Sequence, residues 1–161
     1  MASTEELETY LNDHLAGSVT GSELADKLAE VHAGTAAGPV LSELAKEIMR
    51  DRMTLTELMD RMGIDKSTVK QASGWVGEKA TRLKLSDVAI PDQNLKQLLE
   101  FETLSLGIEG KRSLWRALRE VREAYPELIA TDLDGLVERA EHQRSMLEDH
   151  RLAAARRAFS P

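Results

Sequence analysis

The stretch 39-PVLSELAKEIMRDRMTLTELMDRMG-63 decides the fold. Proline at position 39 suits the first turn of a helix, where its missing N–H would have no partner anyway. Leu41, Leu44, Ile48, Leu55, Leu58 and Met62 follow at spacings of three, four or seven. Those spacings put all six on one face of an α-helix. Asp51 falls inside the same stripe, and Gly63 is a fitting helix stop. A second reading keeps Thr54 or Thr56 as a new cap that breaks the helix. The segment 54-TLTELMDRMGIDKSTVKQA-72 then has the outline of a helix-turn-helix.

Upstream, residues 4–32 form a helix with Ser3 or Thr4 as cap and Glu5, Glu6 and Glu8 at its positive end. Leu7, Leu11, Leu15, Val19, Leu24, Ala25, Leu28 and Ala29 make its apolar side. Gly34 and Gly38 bracket the turn that follows. Downstream, a shorter helix is expected over 66–83, capped by Asp65. A connector over 84–92 ends at Pro91, and Asp92 caps a helix over 93–124. Tyr125-Pro126 closes that helix, and a polar connector reaches Thr131 or Asp132. A last helix runs to about residue 158, packing through Leu133, Leu136, Val137, Ala140, Met146 and Leu147. Long amphipathic helices must bury their stripes against one another. The expectation is one all-α bundle domain over residues 1–161, of four long helices and one short crossover helix.

Composition narrows the function. The chain has 161 residues, 42% of them apolar, which suits a packed domain rather than a disordered one. With no cysteine, disulfides, thiolate chemistry and iron–sulfur clusters are excluded. A net charge of -7 argues against a general basic surface for nucleic acid. No segment approaches the roughly 20 apolar residues of a membrane span, and the acidic start MASTEELETY is unlike a secretory signal. A cytoplasmic protein without membrane contact is expected. Walker, Rossmann, nucleophile-elbow and His-Glu-x-x-His patterns are all missing.

The order of segments (long, long, short, long, long) resembles a ferritin-like bundle, the short one serving as crossover between two helix pairs. The segments 12-NDHLAGSVTGSELA-25 and 99-LEFETLSLGIEGKRSLWRAL-118 are also similar to those of uncharacterised bacterial proteins of that fold. Iron-binding members of the ferritin-like group carry Glu-x-x-His on two helices, so that both ligands face inward. The corresponding positions here read Glu47-x-x-Arg50 and Glu138-x-x-Glu141, with His142 next. Arginine offers no lone pair to a metal, so the standard di-iron set does not carry over.

Polar residues that interrupt apolar stripes are the candidate site. His14 and Ser18 continue the line of Leu7 and Leu11. On the helix over 93–124, Leu95, Leu99, Glu102, Leu106, Glu109 and Ser113 make one line. Gln143 and His150 flank Met146 and Leu147. Asp51, Glu102, Glu109 and His150 fall near mid-height and are the candidate metal ligands, with His14 a marginal addition. Iron, manganese or zinc would be the metal, although no cofactor is the leading expectation. The competing arrangement is a structural ion-pair network, with Arg50, Arg112 or Arg116 as partners of Glu102 and Glu109. His32 and His142 read as solvated or capping residues, and Trp75 and Trp115 as core or interface residues. Ala16, Gly17, Gly21, Gly107 and Gly110 either let backbones approach or leave space for a ligand, and close approach is expected.

Three functions follow. The first is a non-enzymatic bundle with a structural or protein-association role, a homodimer or partner to another protein. The second is a ferritin-like metal-binding protein or oxidoreductase with an irregular carboxylate/histidine site. The third is a helix-turn-helix regulator, with Lys66, Thr68, Lys70 and Gln71 facing DNA.

Overall fold

A computed structural model describes residues 4–66 and 90–160. Helix α1 spans Thr4–Val31 and α2 spans Gly38–Arg61. Helix α3 spans Gln93–Glu120, a single-turn helix α4 spans Pro126–Ile129, and α5 spans Leu133–Phe159. No strand occurs among the described residues. The protein is all-α, and no described helix is long and apolar enough to cross a membrane.

The helix ends have local causes. Pro39 sits in the first turn of α2. At the other end Gly63 takes φ +67°, the left-handed conformation that glycine tolerates best. The N–H of Ile64 then donates back to the Met59 carbonyl at 2.9 Å, closing the helix. Helix α2 does not break at Thr54 or Thr56. Both hydroxyls donate to carbonyls one turn back, Arg50 and Arg52, at 3.0 Å each, instead of capping a new helix. The first half of the helix-turn-helix reading is therefore the end of one long helix. Its second half, and the expected helix over 66–83 with Trp75, lie outside the described residues apart from Lys66. Asp92 caps α3 by accepting from the N–H groups of Asn94 and Leu95. Asp132 caps α5 through Gly135 N–H. The connector before α5 is more structured than its polarity suggests. A 3-10 turn over Arg122–Ala124 leads into α4, whose Leu128 is buried.

Contacts fix the helix directions. His32, just beyond α1, meets Gln97 and Glu100 near the start of α3. Helix α3 therefore descends beside an ascending α1, parallel to α2. Arg157 at the end of α5 donates to Gln97, so α5 ascends. Ion pairs and hydrogen bonds from Asp51 and Glu47 place α2 against α5. The four long helices make a ring in the order α1, α2, α5, α3.

The core is split in two. The half near the α1–α2 turn gathers Leu28, Leu41, Leu44, Phe101, Ile108 and Leu147. The other half gathers Leu11, Leu55, Leu58, Trp115, Leu118 and Leu133. The buried stripe of α3 is Leu98, Phe101, Leu104, Ile108, Trp115 and Leu118. It lies on nearly the opposite face from the expected line, because residues two apart point about 200° apart on a helix. Leu106 and Ser113 of that expected line are exposed.

Candidate functional site: a buried polar layer beside a cavity

Where the two half-cores meet on α2 and α3, and one turn inside the first of them on α5, an apolar stripe residue is replaced by a polar one. On α2 it is Asp51, between Ile48 and Leu55. On α3 it is Lys111, between Ile108 and Trp115. On α5 it is Gln143, between Ala140 and Leu147. Asp51 is 2% exposed and Gln143 fully buried. Groups so placed must be paired, and they are. Lys111 Nζ donates to Asp51 Oδ2 at 2.5 Å and to Gln143 Oε1 at 2.6 Å. The Gln143 amide donates to Asp51 Oδ2 at 3.1 Å and to Glu47 Oε2 at 2.9 Å. Arg139 reaches in from the α5 surface and closes on Asp51 Oδ1 at 2.5 Å, an ion pair without an aligned hydrogen bond. Two acids and two bases thus surround one amide. Burial pushes the Lys111 pKa down, and the charge and hydrogen bond of Asp51 oppose that shift.

A cavity of about 100 Å³ lies against this layer, between α1, α2 and α3. Asp51 and Lys111 form part of its wall, with Trp115 and Arg52 nearby. Gly17 and Gly21 of α1 and Gly107 and Gly110 of α3 also line it. A Cβ built on any of the four would meet no described atom within 4 Å. The glycines therefore do not serve the close approach expected from the sequence; they leave room. Trp115 is 1% exposed, and among the described residues its indole N–H has no hydrogen-bond partner. Arg52 donates to Ser22 Oγ at 3.2 Å, and no carboxylate among the described residues pairs with it. His14 lies at the same wall, edge-on to Tyr10. Burial lowers its pKa against the opposing charge of Asp13, so the ring favours its neutral form.

The four candidate metal ligands are not brought together. Asp51 belongs to the layer. Glu102 accepts from Arg151 at 3.1 Å. Glu109 accepts from Arg112 at 2.8 Å and from Arg144 at 2.6 Å. His150, on α5, shares none of these bonds. No group of three or more histidine and carboxylate side chains among the described residues could hold a metal ion. Glu102 and Glu109 enter ion pairs, as the competing reading expected, but with α5 arginines and Arg112; Arg50 and Arg116 are exposed and outside these pairs. The reason is the face of α3: both glutamates lie on its flank toward α5, half-exposed. Arg151 also bonds Glu148 and lowers that carboxyl's pKa.

A second polar centre was hidden in the sequence. His32, at the position that follows the last residue of α1, is 9% exposed and not solvated. Arg157 donates to Gln97 Oε1 at 2.7 Å, which turns the Gln97 amide nitrogen toward His32 Nδ1 at 3.3 Å. Nδ1 is then the acceptor, and Nε2 carries the proton that faces Glu100 Oε2 at 3.4 Å. Phe101 packs edge-on against the ring. Only the meeting of distant segments, 68 residues apart for His32 and Glu100, makes this centre. Lys111, in contrast, had a signal: it stands three residues after Ile108 and four before Trp115, inside the true stripe of α3. Compared with family models, curated proteins and solved structures, the chain matches none.

Proposed function

We propose that this chain is a non-enzymatic, ferritin-like bundle that holds a small guest molecule in the cavity between α1, α2 and α3. The observation that carries the reading is the lining: four glycines on two helices face space, beside a buried lysine and an unpartnered indole N–H. A bundle with only a structural role gains stability by filling such space, since unfilled volume forfeits dispersion contacts. The ferritin-like topology is supported by the helix directions, with α2 and α3 parallel and each in an antiparallel pair. The protein-association reading has a less defined surface. Among the described residues, the exposed Val31 and Phe159 lie at one end of the bundle and Val121 and Ile129 at the other.

Xenon is the simplest probe, because it enters small apolar cavities without needing polar partners. In amide NMR of the labelled protein, xenon pressure should shift Gly17, Gly21, Gly107 and Gly110 saturably, and Gly107→Leu should abolish the response. Shifts that are absent, or that spread without saturation over the surface, would count against the proposal.

A further inference from the structure

The charged and indole groups of the cavity wall hold hydrogen-bond donors beyond the acceptors they meet. Two of its hydroxyls, Ser18 and Thr103, give their protons to the backbone, at Leu15 O and Leu99 O. Both oxygens of Asp51 are engaged, Oδ1 by Arg139 and Oδ2 by Lys111 and Gln143. Three donors are left over. The Lys111 ammonium has three N–H groups and two acceptors. Arg52 has five N–H groups, one of them given to Ser22, and no carboxylate among the described residues. The Trp115 indole N–H has no acceptor among the described residues.

Charge points the same way. Within the layer the acids Asp51 and Glu47 balance Lys111 and Arg139, and Arg52 adds a further positive charge at the cavity wall. Asp13 also borders the cavity, but it is exposed, where water screens it. The rest of the wall is apolar: Leu24, Ile48, Leu55, Leu104, Ile108 and Leu114. A volume of about 100 Å³ suits a guest of few heavy atoms.

We infer that the guest is a small monocarboxylate with a short apolar tail, its carboxylate answering the spare donors of Arg52, Lys111 and Trp115 and its tail lying along the glycine-lined gap. The assignment rests on the guest-binding reading above and adds the chemical class. An anionic acceptor forms charge-assisted hydrogen bonds, roughly twice as strong as neutral ones, and arginine favours a planar carboxylate.

The experiment compares butyrate with 1-butanol, which has the same number of carbons and no charge, by calorimetry and by the Trp115 indole N–H resonance, with xenon as a neutral control. Butyrate is expected to bind saturably, at least about tenfold more tightly than 1-butanol, and to move the indole proton. Arg52→Met should remove that preference, and Trp115→Phe should weaken butyrate more than 1-butanol. Helical circular dichroism checks that both variants fold. If 1-butanol binds as well as butyrate, or if Arg52→Met leaves the preference intact, the carboxylate assignment is overturned while the guest-binding reading stands. If xenon enters and neither butyrate nor 1-butanol does, the carboxylate assignment is again overturned. If none of the three enters, the guest-binding reading fails and takes this one with it.

Discussion

Lys111 is the residue on which the polar layer turns, because it links α3 to both α2 and α5. Its ammonium touches Asp51 and Gln143, and its removal would leave a nearly fully buried carboxylate with Arg139 and Gln143 for company. Breaking one side of a buried ion pair costs about 3–5 kcal/mol. Arg139 continues to face Asp51, so Lys111→Met should lie near the low end of that range, about 3 kcal/mol, in urea unfolding. Adding Asp51→Leu should return part of the loss, since the stranded charge goes too. A single-variant cost near zero would mean that water reaches Lys111. Asp51 and Gln143 were legible in the sequence as polar interruptions of apolar stripes. Lys111 shows in the sequence only when the face of α3 is taken from Phe101 and Ile108 rather than from Leu99 and Leu106.

At the level of elements, the long helices were legible to within a few residues, because period and caps agree. Pro39, Gly63, Asp92 and Asp132 each act where their chemistry predicts. Two features were not legible. Helix α4 is one turn long, too short for a stripe to declare itself, and its Leu128 is buried by tertiary packing alone. The glycines of α1 and α3 fit either close approach or open space, and sequence cannot say which side of a helix has a neighbour. The structure makes the distinction testable. Glycine inside a helix is less stable than alanine by roughly 0.5–1 kcal/mol. Where no described atom opposes the new methyl, Gly110→Ala should therefore stabilise the protein by about that amount in thermal or urea unfolding. A glycine needed for close helix contact would give destabilisation instead.

For the whole molecule, the layer lies where two apolar half-cores, with no buried residue in common, meet on α2 and α3. Ile108 belongs to one and Ile64 to the other. Ile108→Val and Ile64→Val should each cost about 0.5–1.5 kcal/mol. The double variant should equal their sum within about 0.5 kcal/mol, as for sites without shared partners. A larger discrepancy in a double-mutant cycle would show that the halves respond as one. The charged layer also bears on how the helices find their alignment. Leucine stripes are forgiving, since a helix displaced along its axis by one turn, about 5.4 Å, still meets leucine. Asp51 has less freedom: a slip of α2 that brings Leu55 into its place leaves Lys111 and Gln143 facing hydrocarbon, while the opposite slip brings only Glu47, a longer side chain, to that position. The layer therefore works as an index mark along the bundle, making a slipped assembly of the same four helices costly wherever a charge loses its partner.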